Sequence, residues 1–316
     1  MSKQELSPEP PDSPPGPKSR ALAERLKEVE TSNVTWLGDN FPVFWKRGSG
    51  VFVEDVDGNS FLDMTAAFGV TALGHSPSQT SQALAAQSEK LVHGMGDVHP
   101  PAIKVELLEK LASRVPVKDP RITLGTGGSM ATEIALKATY MATGKPGVLA
   151  FEGAYHGLTL GALSVVGHEK FLSPFAGIAP AGLPRLPYPD SAAKRGDLSD
   201  QDLIQESLAT IEDTLDRFSE TVGGIIIEPI QGRGGIRIPP KGFLKELSKL
   251  CRAHGVLLIC DEIFTGFYRT GPEFAVHSEG VSPDIILLGK ALAGGMPIGA
   301  CVGTREVMDS FGPSSG

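Results

Sequence analysis

DIILLGKALAGGMPIGA, residues Asp284–Ala300, puts one lysine at the end of an apolar run and follows it with two glycines and a proline. The chain has 29 Lys+Arg, and most of them are free to sit in water. A solvated surface lysine needs no such setting. A lysine that acts as an amine nucleophile does, because partial desolvation lowers its pKa and leaves free amine at neutral pH. Lys290 is therefore expected to end a buried strand as a nucleophile.

Working outward from that run, short and wholly apolar segments alternate with helical patterns. RITLGT, GVLAFEG, VGGIIIEPI, VLLICDE, PDIILLG and GACVGT are the expected strands. Between them SMATEIALKATYMATG predicts a helix closed by Gly144, and PKGFLKELSKLCRAHG one closed by Gly255. DLIQESLATIEDTLDRF carries Leu203, Ile204, Leu208, Ile211 and Leu215 on one side of a helix. Strands of this kind argue for a mainly parallel sheet between helices, an α/β fold in which ligands sit beyond the carboxyl ends of the strands. Earlier in the chain ALAERLKEVETSN has helical composition, and GVFVEDVDGNSFLDMT predicts a hairpin about Asp57-Gly58. SQTSQALAAQSEKLVHG and PAIKVELLEKLASRV complete the helices, the second with Pro101 near its start.

Four strand ends carry chemistry. TLGTGGSMATE is a glycine-rich turn (Gly125, Gly127, Gly128) that opens a helix near Ser129; bare N–H groups at the positive end of a helix dipole suit a phosphate. Tyr155 and His156 follow GVLAFEG as an aromatic pair that either packs or stacks on a flat ligand. Asp261 and Glu262 close VLLIC, where a buried carboxylate needs a partner: a loop to cap, or the counter-charge of a protonated ring nitrogen. Lys290 ends the fourth. A phosphate turn, a stacking ring, a ring-nitrogen carboxylate and an imine-forming lysine are together what pyridoxal 5'-phosphate requires.

These motifs resemble the class III aminotransferases, pyridoxal-phosphate enzymes of fold type I. GSMATEIALKAT resembles their phosphate turn, which implies that Gly128 and Ser129 bind phosphate. YHG matches the loop whose aromatic residue, here Tyr155, covers one ring face, with His156 beside it as a further cofactor contact. IIIEPIQGRGG implies that Glu228 lies near substrate or cofactor. DEIFTGFYRTG assigns Asp261 to the pyridine nitrogen and Ile263 to the other ring face; GKALAGGMPIGA makes Lys290 the Schiff-base lysine. Three residues depart from the pattern. Met130 replaces an acid in the phosphate turn, and Phe264 stands where many members carry glutamine. Arg233 stands where an acid is frequent, and it fits either a substrate carboxylate or a solvated loop.

The resemblance implies transamination from an ω-amino acid or related amine to a 2-oxo acid through a Lys290 aldimine, by a homodimer. The alternatives are an aminomutase or racemase of the same family, or a catalytically silent chain that acts as a binding partner. It further implies residues 20–66 as the N-terminal segment of a small α+β domain and residues 67–316 as the cofactor-binding large domain. The C-terminal part of the small domain is expected to be absent from these 316 residues. Residues 1–19 are expected to form a proline-rich disordered tail.

A net charge of −8 without a dense basic cluster argues against nucleic acid, and no apolar run has the length of a membrane span. Cys251, Cys260 and Cys301 fit neither a disulfide framework nor a zinc site, so no metal is expected and the cytoplasm is the expected compartment.

Overall fold

Apolar runs without alternation are stable only where both faces of a sheet are covered. The computed structural model of this chain puts them there. It describes residues 14–38, 40–180, 182–193 and 198–312, which fall into two compact units dividing between Val92 and His93. The helix Ser78–Ser88 falls in the first unit.

The first unit contains the helix Pro17–Lys27 and an antiparallel sheet of β1 (Trp45–Ser49), β2 (Phe52–Asp55) and β3 (Ser60–Leu62). The helix starts inside the stretch expected to be a tail. Pro17 opens it, and the Asp57 carboxylate accepts hydrogen bonds from the Lys18 and Ser19 N–H groups at 2.7 and 2.9 Å. A proline at this position loses no helical bond, and an acid suits the helix N-terminus. Residues 1–13 of that stretch lie outside the described residues. The expected hairpin joins β2 to β3, with Gly58 at φ +96 in its turn.

The second unit is built on seven strands: β4 (Pro120–Gly125), β5 (Gly147–Phe151), β6 (Arg185–Leu186), β7 (Val222–Ile227), β8 (Leu257–Asp261), β9 (Ile285–Leu288) and β10 (Gly299–Thr304). Their order across the sheet is β4-β10-β9-β8-β7-β5-β6. The pairs β9–β8, β8–β7, β7–β5 and β5–β6 are parallel, whereas β10 runs antiparallel to both β9 and β4. Because β10 opposes both neighbours, β4 points the same way as β5, β7, β8 and β9. The carboxyl ends of those five strands therefore share one edge.

Alternate residues of the central strands feed two cores. Ile225, Ile227, Leu258, Cys260, Ile286 and Leu288 pack with the helices Asp200–Arg217 and Phe243–Ala253, through Ile211, Leu215, Phe243 and Leu247. On the opposite face Ile226, Ile259, Ile285 and Leu287 meet Ala131, Ala135 and Ala138 of the helix Gly128–Thr143. Alanine at this i, i+4, i+7 spacing lets that helix lie close to the sheet, and a larger residue there would cost ~1–3 kcal/mol of overpacking. Gly144 ends the helix in the left-handed conformation. The mainly parallel α/β fold is as expected, and none of the helices searched among the described residues is long and apolar enough to cross a membrane.

Candidate active site

Each chemistry-bearing residue sits just beyond one of the five strand ends: Gly128 and Ser129 after β4, Tyr155 and His156 after β5, Glu228 after β7, Asp261 closing β8, and Lys290 two residues after β9. Close contacts tie them together. Gly128 packs against Ile263, where a Cβ would meet Cδ1 at 2.9 Å, and Gly289 packs against the same side chain. Ile263 thus wedges the helix-opening turn against the residue preceding Lys290. Gly157 has φ +119 and lies on Ser129, where an added Cβ would come within 2.2 Å of Oγ; next to it the Leu158 N–H donates to that Oγ at 3.2 Å. Thr132, one turn into the helix, donates to the His156 carbonyl at 2.7 Å.

The two acids at the end of β8 meet different partners. Glu262 accepts from the Thr265 hydroxyl and from the Val276 N–H at 2.9 Å, so it caps the loop. Asp261 faces His156, ring Nδ1 to Oδ2 at 2.7 Å, while its Oδ1 accepts from the Ile263 N–H at 3.0 Å. A carboxylate has about four acceptor positions, and these two bonds leave capacity for a further donor. The His156 ring thereby bonds Asp261, and its buried Nε2 has no hydrogen-bond partner among the described residues.

Glu228 is buried and holds two backbone segments at once: Oε1 accepts from the Tyr155 N–H and Oε2 from the Gly232 N–H, each at 2.9 Å. Burial pushes its carboxyl above the usual range. Lys290 is half-buried, with its amine 4.4 Å from the centroid of the Phe264 ring. Burial lowers its pKa from the ordinary 10.5, while the charges of Asp261 and Glu228 pull it back up. Its backbone has φ +41, a left-handed conformation that costs a residue with a side chain ~1–3 kcal/mol.

This donor set fits pyridoxal phosphate. The helix at Gly128–Ser129 presents its first N–H groups with no side-chain cap, an acid is buried at Asp261, and Lys290 is an amine partly stripped of water. Sequence reasoning missed Thr132, Gly157 and Gly232. Their roles are steric or backbone-directed, and only the two glycines left a trace, as YHG and QGRGG. The cysteines are buried, with burial raising all three thiols, Cys251 to about 12. Among the described residues no three His, Cys, Asp or Glu gather to hold a metal.

Comparison with known proteins agrees. An ω-transaminase from Pseudomonas jessenii, solved in complex with PMP, superposes with a TM-score of 0.85 at 26% identity over 92% of this chain and 66% of that one. The architecture is that of the fold type I pyridoxal-phosphate transferases. A family model described as Aminotransferase class-III matches residues 35–316. An alanine/serine racemase of Pyrococcus horikoshii is 36% identical over 94% of this chain and 64% of its own length. A 5-aminovalerate aminotransferase of Pseudomonas aeruginosa is 36% identical over 93% of this chain and 68% of its own. The chain belongs to the class-III aminotransferase family. It spans less than two thirds of the racemase's length.

Proposed function

We propose that this chain binds pyridoxal phosphate covalently through Lys290 and transfers an amino group from an ω-amino acid or related amine to a 2-oxo acid. The observation that carries this reading is the partly desolvated amine of Lys290, which shares one sheet edge with buried Asp261 and the uncapped helix start at Gly128–Ser129. Bound there, the cofactor supplies an electron sink for the substrate carbon. Gly128 and Ser129 bind its phosphate through backbone N–H groups and the helix dipole. Asp261 holds a proton on the ring nitrogen by its charge, and Tyr155 and Ile263 cover the ring faces. The free amine of Lys290 moves the proton to and from the substrate carbon.

Support for the substrate class comes from the 5-aminovalerate relative. The racemase relative favours a second reading, racemisation at the same site, since both reactions begin with loss of a proton from the amine-bearing carbon. As in the family it resembles, the working assembly is proposed to be a homodimer, in a reducing compartment such as the cytoplasm that suits three free cysteines. The test is borohydride reduction of the loaded protein with peptide mapping, followed by an amine screen with pyruvate and 2-oxoglutarate. An adduct on Lys290 and amino transfer are expected. An adduct on another lysine overturns the assignment, and enantiomer exchange without transfer makes the protein a racemase.

A further inference from the structure

Arg233 has an unusual setting for a loop arginine. Its guanidinium lies over two aromatic rings, 4.7 Å from the Tyr155 centroid and 5.2 Å from that of Phe171. Among the described residues no carboxylate pairs with it. The acid closest in sequence, Glu228, spends its two oxygens on the Tyr155 and Gly232 backbones, and so fixes the two segments that bring Arg233 over Tyr155. The side chain is exposed, yet its charge reaches the Lys290 amine. Lys170 adds positive charge beside it, with its amine 5.0 Å from the Phe171 centroid.

We infer that Arg233 is the specificity-determining residue that receives a substrate carboxylate. Contact with the two rings restrains the guanidinium, and with no carboxylate paired to it a planar carboxylate would meet a partly preorganised two-pronged donor at reduced cost in side-chain entropy. The inference rests on the transaminase reading above and adds the substrate class: amino acids and 2-oxo acids in preference to amines that lack a carboxylate.

The experiment compares the native chain with Arg233→Gln and Arg233→Lys, each loaded with pyridoxal phosphate. The probe is glutarate, a dicarboxylate with no amine, titrated by calorimetry; KM and kcat are then measured for a carboxylate-bearing amine and for benzylamine. Arg233→Gln is expected to weaken glutarate binding and raise KM for the carboxylate substrate by roughly 10- to 100-fold. It should leave kcat, cofactor loading and benzylamine kinetics within about threefold. Arg233→Lys, which keeps the charge but loses the planar fork, should recover part of the loss. Equal glutarate affinity in the native chain and Arg233→Gln overturns the inference and leaves the transaminase reading intact, as does loss of cofactor loading in Arg233→Gln alone. Failure of the native chain to load on Lys290 removes both.

Discussion

The imidazole of His156 and the carboxylate of Asp261 meet at 2.7 Å inside the protein, the first closed to solvent and the second 3% exposed. With Nδ1 donating, the histidine holds one Asp261 oxygen in place while the Ile263 N–H holds the other. Asp261→Asn keeps the shape and removes the charge. A neighbouring opposite charge shifts a titrating group by ~1–3 pH units, so amino transfer is expected to fall roughly 10- to 1000-fold. Loading on Lys290 and the melting temperature should change little. Steady-state rates beside absorbance of the loaded protein check this, and near-native turnover would reduce Asp261 to a cap.

Lys290 combines a partly desolvated amine with a left-handed backbone. Lys290→Ala and Lys290→Gly should both abolish covalent loading. Glycine ordinarily costs stability relative to alanine, but at φ +41 the order reverses, and Lys290→Gly should be the more stable of the two by ~1 kcal/mol. Denaturant midpoints of the two variants decide it.

The pH dependence of loading follows from the same amine. Burial favours the neutral form, so attachment should reach half its maximum below pH 10.5. The Phe264 ring favours the charged form by ~0.5–1 kcal/mol, so Phe264→Leu should move that midpoint a further half unit or so toward acid. Absorbance titrations of the two proteins supply the comparison; a midpoint that moves up would mean the ring does not face a cation.

Gly157→Ala puts a methyl where Ser129 Oγ already stands and adds backbone strain at φ +119. The expected loss is ~1–3 kcal/mol of stability, with weaker retention of pyridoxal phosphate because the helix start must shift. Thermal melts with and without cofactor measure both effects.

Much of this arrangement is legible in the sequence. Runs such as VGGIII and IILL declare buried parallel strands, and the polar residues that end them mark the candidate site. Direction was not legible: GACVGT is as apolar as its neighbours, and nothing in it says that β10 runs against β9 and β4. Nor was β6, whose two residues hold their edge through Arg185 bonds to the carbonyls of Ser164, Leu183 and Val166. The commitment of the His156 ring to Asp261 links positions far apart in the chain, which local pattern does not encode.

In the first unit Asp63 supplies an acid-sensitive anchor. Burial raises its carboxyl, but hydrogen bonds from the His75 ring, the Thr65 hydroxyl and N–H, and the Ala67 N–H more than offset this and hold it at about 2, below its ordinary 3.8. A depressed carboxyl contributes stability that is present above the unfolded value and lost as pH falls through the folded one. Stability should therefore decline between pH about 4 and 2, and Asp63→Asn should flatten that decline by about one proton while lowering stability at neutral pH. Urea titrations across that range test the slope.

Among the described residues β4 has a single neighbour in the sheet, and that neighbour is β10. Gly125 pairs with Gly299, which lies so close to the turn that an added Cβ would meet the Gly127 carbonyl oxygen at 2.4 Å. On the ribosome, residues 120–129 emerge long before their partner is made. Until β10 arrives the nascent chain carries an unpaired strand edge, and the turn at Gly127 lacks the Gly299 contact, whatever else of the sheet has assembled. On the proposed reading, cofactor capture would thus wait for translation of the far side of that turn.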